Sequence, residues 1–116
     1  MTPDEPQPAA LARRLMRKTA KGALATLLDE GEGGPYASLV TVAWDHDGTA
    51  VLLLSELARH TRDARADDRA SLLVAGDTGR ANPQQEARLS LVGRLAPVTE
   101  EEEAGRLRRR FLARHP

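Results

Sequence analysis

The residues best suited to chemistry fall within one short stretch, Leu54-Ser55-Glu56-Leu57-Ala58-Arg59-His60-Thr61-Arg62. It leaves an apolar strand and enters a helix within a few residues. Backbone N–H groups at a helix start attract anions, and Ser55, Arg59, His60 and Thr61 add hydroxyl and cationic donors that suit a phosphate. A capped, charged surface helix accounts for the same composition. A second candidate is the strand over residues 36–44, whose outward groups Ala37, Ser38, Thr41 and Ala43 are small or β-branched. Such a strand lets a flat ring lie close to the backbone, though ordinary barrel packing has the same pattern. Other chemistries lack their residues. Gly31, Gly33 and Gly34 are followed by no Gly-Lys-Ser/Thr, and no Gly-x-Ser-x-Gly elbow occurs. His46, His60 and His115 are spaced too widely for a zinc pair, so no metal site is expected. His46 falls in a turn and is expected to be exposed, and His115, next to the last residue, to be mobile.

The elements that must position these residues follow from periodicity. Residues 1–8, with three prolines, read as a disordered tail before one domain over 9–116. Leu11, Ala12, Leu15 and Met16 recur at helical spacing, with basic residues on the other faces. Residues 23–28 predict a strand, stopped by the glycine-rich turn at 29–35. Residues 36–44 and 49–54 predict a β-hairpin around the Asp-Gly turn at 45–48. Residues 56–66 predict a helix, 70–75 a strand and 76–86 a loop. Over 88–98, Leu89, Leu91 and Leu95 alternate with Arg88, Ser90 and Arg94, the period of an antiparallel strand with one polar face. Thr99 and Glu102 form a capping box for a last helix with the apolar stripe Ala104, Leu107 and Phe111. Its Arg106, Arg108, Arg109 and Arg110 read as a solvated face at the negative helix end. Five short strands with peripheral helices predict a mainly β fold, a small antiparallel barrel. The 36–54 hairpin leaves no room for a parallel crossover.

Composition bounds the rest. With 116 residues the chain makes one domain, and 41% apolar with 29% charged residues is a globular balance. Seventeen basic and seventeen acidic residues cancel, so no global field recruits nucleic acid or an anionic membrane. Tyr36, Trp44 and Phe111 are the only aromatics, too few for a base-stacking platform. The absence of cysteine excludes disulfides, thiolate nucleophiles and iron–sulfur clusters, and permits the cytoplasmic location expected here. No apolar run approaches the ~20 residues of a membrane helix.

The ordered set Gly22-Ala23-Leu24-Ala25-Thr26-Leu27, Pro35-Tyr36-Ala37-Ser38-Leu39-Val40, residues 45–48, 54–62, Leu89 to Leu95 and the segment from Phe111 to Pro116 resembles the pyridoxamine-phosphate-oxidase-like FMN-binding proteins, closest to the branch associated with haem utilisation. The resemblance runs from about Arg13 to the end. It implies an antiparallel split β-barrel of the FMN-binding type, a homodimer with FMN at the subunit interface, and a small-molecule substrate. It further implies that Ser38, Leu39, Val40 and Thr41 run along the flavin, that Arg59 and His60 stand where the family pairs Arg and Lys on the phosphate, that Ser55 donates beside them, and that Arg88 replaces a glutamine near the ring. Ala43 stands where a true oxidase carries a lysine for substrate phosphate, so that substrate is rejected. Family members continue past the position of Pro116, so the final strand and the region holding the haem relatives' iron ligand are expected to be lacking, and no residue here inherits that ligand's role. The leading expectation is an FMN-binding redox protein. A haem-binding or haem-degrading protein is the alternative, and a cofactor-free dimeric barrel a third.

Overall fold

The structure is a computed structural model and describes residues 7–116. The tail expected over 1–8 lies outside the described residues up to residue 6, and Pro8 already opens a helix. Helix α1 (Pro8–Lys18) begins on that proline, whose fixed φ suits the first helical position, and buries Leu15. Thr19 closes it: both its N–H and its Oγ1 donate to Leu15 O.

Strand β1 (Lys21–Leu27) is the centre of the fold, antiparallel to β2 (Pro35–Thr41) on one side and to the strand over Arg69–Ala75 on the other. Gly22 is required by that pairing, since a Cβ there would lie 2.8 Å from Leu73 O. The single strand expected over 36–44 is in fact two. At Val42 the chain leaves the β2 ladder; its N–H donates to Ala20 O, and β3 (Ala43–Trp44) pairs instead with β4 (Ala50–Val51). Val40 and Val42 both face the core, so the bend keeps the alternation while carrying the chain from one sheet to another. The turn between β3 and β4 forms as expected, with Gly48 at positive φ and its N–H on Asp45 O. Residues 52–54 are not in a ladder, yet Leu52 and Leu54 still pack on the core.

Helix α2 (Arg59–Ala66) is shorter than the expected 56–66, because residues 55–58 form a turn in which Ala58 N–H donates to Ser55 O. Strands β5 (Arg69–Ala75) and β6 (Arg88–Arg94) complete a sheet of order β2-β1-β5-β6. Leu89, Leu91 and Leu95 pack on the core as the alternation requires. Leu15, Leu24, Val40, Val42, Leu72 and Val74 form its buried centre. The architecture is the expected mainly antiparallel β fold with peripheral helices. Among the described residues the barrel stays open: the two-stranded and four-stranded sheets do not join, and an apolar hollow of about 290 Å³ lies between the β4 side and β6.

Helix α3 (Glu101–Arg114) starts one residue later than its expected cap. Glu100, not Thr99, accepts the Glu102 and Glu103 N–H groups, because its longer carboxylate reaches both with full charge. Two further expectations are corrected here. Arg106 is not a solvated cation: it grips Asp45 through two hydrogen bonds of 3.0 and 2.7 Å and holds Glu103 as well. His115 is not loose, since its Nε2 donates to Val42 O at 2.8 Å and its ring packs on Phe111. With Arg110 Nε donating to Trp44 O, the helix fastens its side chains along β3.

The Arg106 guanidinium, the His46 N–H and the His46 ring hold Asp45 well below the usual carboxylate range. A folded pKa below the unfolded value of ~3.9 means the contact stabilises above that pH and is lost as pH falls through the folded value. The Asp45→Asn chain is therefore expected to melt below the wild type at pH 7. The gap should narrow as pH drops below about 4, and a constant gap in a melting series across that range would remove Asp45 from the latch.

Candidate functional site

The site is built where β2, the β1–β2 turn and α2 meet. Alternation along β2 puts Ser38 and Val40 on the core side and Leu39 and Thr41 on the outer face. Of the four residues expected along a ring, Val40 is buried and Leu39 is 76% exposed, so their side chains do not line one surface. The expected outward set is corrected in the same way. Ala37 and Thr41 are exposed, but Ser38 turns to the core side and Ala43 is buried. As an edge strand, β2 leaves one row of backbone groups free of sheet partners.

Ser38 and His60 are brought together: Ser38 Oγ and His60 Nδ1 stand 3.2 Å apart. With the proton on Nδ1 donated to the hydroxyl, Nε2 carries the free lone pair. Arg59, one residue earlier, lies over the Tyr36 ring, 5.8 Å from its centroid. Its guanidinium is already engaged, by Glu30 from the β1–β2 turn and by Asp63 at 3.7 Å, one helical turn on. Ser55 sits just before the helix. Its Oγ accepts the Leu57 N–H and its carbonyl accepts the Thr61 hydroxyl, so the hydroxyls of this stretch shape the turn into α2.

Arg88 is not brought to this group. It opens β6 at the far edge of the sheet, and β1 and β5 lie between it and β2, a distance of roughly 14 Å at the usual strand spacing. The remaining histidines also lie elsewhere, His46 exposed beside Asp45 and His115 under α3.

Sequence reasoning missed Asp63, whose side chain is 2% exposed. Its Oδ1 accepts the Asp29 N–H at 2.9 Å and so ties α2 to the β1–β2 turn. An acidic residue four positions after Arg59 was the available signal, but the same spacing is common on solvated helices. Glu30 was missed because nothing local links it to Arg59, 29 residues away.

The outer sheet face carries an open apolar patch bordered by the exposed Lys21, Thr41, Arg88 and Ser90. The register aligns Leu39, Ala23 and Leu73 in one row, and Val92 on β6 is 85% exposed. Among the described residues no three or more His, Cys, Asp or Glu gather to hold a metal ion, and no helix is long and apolar enough to cross a membrane.

This open antiparallel barrel with its helix-bordered edge is the architecture of a known class: the chain belongs to the CREG β-barrel family, which it matches over residues 3–116. It is similar to the non-canonical haem oxygenase HOZ of Arabidopsis thaliana, a chloroplast protein, with 35% identity over 109 residues. That match takes in 94% of this chain and 33% of the plant protein, so the chain spans about a third of its curated relative. Among solved structures, a haem-binding protein of Mycobacterium smegmatis is 36% identical with a TM-score of 0.74, covering 88% of this chain and 41% of that one. A haem storage protein of Vibrio cholerae, HutZ, is 19% identical with a TM-score of 0.65 over 79% of this chain and 63% of that one, a likeness of fold. The resemblance read from the sequence thus holds at the level of the split barrel and of haem-associated relatives.

Proposed function

We propose that this domain binds haem at the edge formed by β2 and the start of α2, with His60 holding the iron in place of the family ligand expected beyond Pro116. The observation that carries the reading is the Ser38–His60 pair. A ligating imidazole is normally fixed through its other ring nitrogen, and Ser38 does this from a rigid strand, leaving Nε2 free. The surroundings fit the group. Leu57 is 89% exposed and offers apolar surface near His60, while Arg59 and Arg62 supply cations for a carboxylate. The hollow of about 290 Å³ is at the lower limit of ligand pockets and no residue of β2 or α2 lines it, so a ring held by His60 would meet the open edge rather than that hollow. When bound, haem supplies a redox-active iron; the residues here bind and orient it. The two haem-named relatives above 30% identity support this ligand over FMN.

FMN is the second reading. Ser55 favours it, because its Oγ accepts the Leu57 N–H and keeps its own proton to donate, within a turn of Arg59 and His60. Either ligand fits a homodimer in which a second copy covers the exposed apolar patch of Leu39, Leu73 and Val92. The deciding experiment titrates haemin and FMN separately into the full chain. A Soret shift saturating at one haem per chain is expected, with FMN fluorescence unquenched. Quenching of FMN without a Soret shift would transfer the site to the flavin, and neither signal would leave a barrel without cofactor.

A further inference from the structure

We propose that Glu30 is an internal competitor for the ligand: in the free chain its carboxylate holds the place on Arg59 that a ligand's oxyanion takes. The inference rests on the reading that this edge binds an anionic molecule, whether through a haem propionate or an FMN phosphate.

The two carboxylates on Arg59 are not equivalent. Asp63 is a permanent partner. Its side chain is 2% exposed, it is anchored by the Asp29 N–H, and it balances the Arg59 charge from below. Glu30 is 65% exposed and reaches Arg59 from a surface turn. The backbone of that turn is fixed by Gly33 N–H on Glu30 O and Leu28 N–H on Gly34 O, so release needs only rotation about Glu30's own side-chain bonds.

Glu30 also holds Arg59 incompletely. It accepts from Nη2 alone, while Arg59 Nε and Asp63 Oδ2 are buried without hydrogen-bond partners. A guanidinium binds an oxyanion best through two parallel N–H groups; with Nε enclosed against Asp63, a ligand with two free oxygens would replace the one-pronged contact by a forked one at the outer Nη1–Nη2 edge. Beside them lies a polar hollow of about 90 Å³ lined by Asp29, Glu30, Arg59, Arg62 and Asp63. It has room for roughly three waters, the scale of an oxyanion headgroup and far below that of a ring. Exposed ion pairs are weak, so Glu30 sets a threshold without blocking the site.

The test compares the full chain with Glu30→Gln, which keeps the side-chain shape and removes the charge. Haemin and FMN are each titrated into both. A ligand that binds the wild type and binds the variant about two- to fivefold more tightly supports the inference, and which ligand does so names the source of the oxyanion. Equal affinities overturn the inference and leave the ligand assignment standing. If neither binds the wild type, the functional reading fails separately and inorganic pyrophosphate decides the matter. Followed through the Arg59 Nε–H resonance, identified by its loss in Arg59→Lys, pyrophosphate should act at lower concentration in Glu30→Gln. Equal midpoints, or no response in either chain, would mean that Glu30 competes with nothing.

Discussion

Replacing Leu24 by alanine is expected to lower the unfolding free energy by about 2–5 kcal/mol, the range for removing a large aliphatic side chain from a packed core. Leu24 is 1% exposed on the central strand and faces Leu72 across one ladder and Ser38 across the other. The four-stranded sheet therefore has no neighbouring element able to close over the void without giving up its own register. Whole-domain stability is typically 5–15 kcal/mol, so the variant should lose much of its margin and show a clearly lower midpoint in urea. Leu57→Ala is the control. At 89% exposure it should change stability by less than about 0.5 kcal/mol. Equal midpoints for the two variants would show that the core does not centre on β1.

The second large effect concerns the ligand. His60→Ala is expected to abolish the haemin Soret shift or weaken binding by at least about tenfold, since even the supporting partners of a metal ligand contribute 10–100-fold. His60 is half-buried at the first turn of α2, so truncation leaves the sheet intact, and melting and circular dichroism should stay near wild type. His46→Ala is the matched control, because His46 sits in the β3–β4 turn with its side chain 75% exposed and, among the described residues, bonded to Asp45 alone. His115→Ala is the informative third variant. That ring is committed to Val42 O and Phe111, so its loss should cost stability without moving the spectrum. A Soret band that survives in His60→Ala and disappears in His115→Ala would place the iron under α3.

Some of this molecule could be read residue by residue. The Asp-Gly turn at 45–48, the alternation of Leu89, Leu91 and Leu95, and the helical spacing of Leu11, Leu15 and Met16 each depend on neighbours within a few positions. Such patterns survive folding in outline: the turn forms, and Leu15, Leu89, Leu91 and Leu95 pack on the core, while Leu11 stays 39% exposed on the same helix. Ser38, Arg59 and His60 were recognisable as candidates for a similar reason, their side-chain chemistry being independent of where the strand leads.

What could not be read were choices made between distant segments. The break at Val42 arises because one chain path serves two sheets, and the hydrogen bond to Ala20 that marks it spans 22 positions. Asp63 looked like one more charge on a polar helix until the β1–β2 turn placed Asp29 over it, and Arg106 until the hairpin presented Asp45. The sheet order put β1 and β5 between Arg88 and β2, and packing at the other edge joined Ser38 to His60. Periodicity and turn chemistry are local and were written along the chain. Partnership among charges and strands depends on which surfaces the core brings together, and that is settled by the packing of the whole domain.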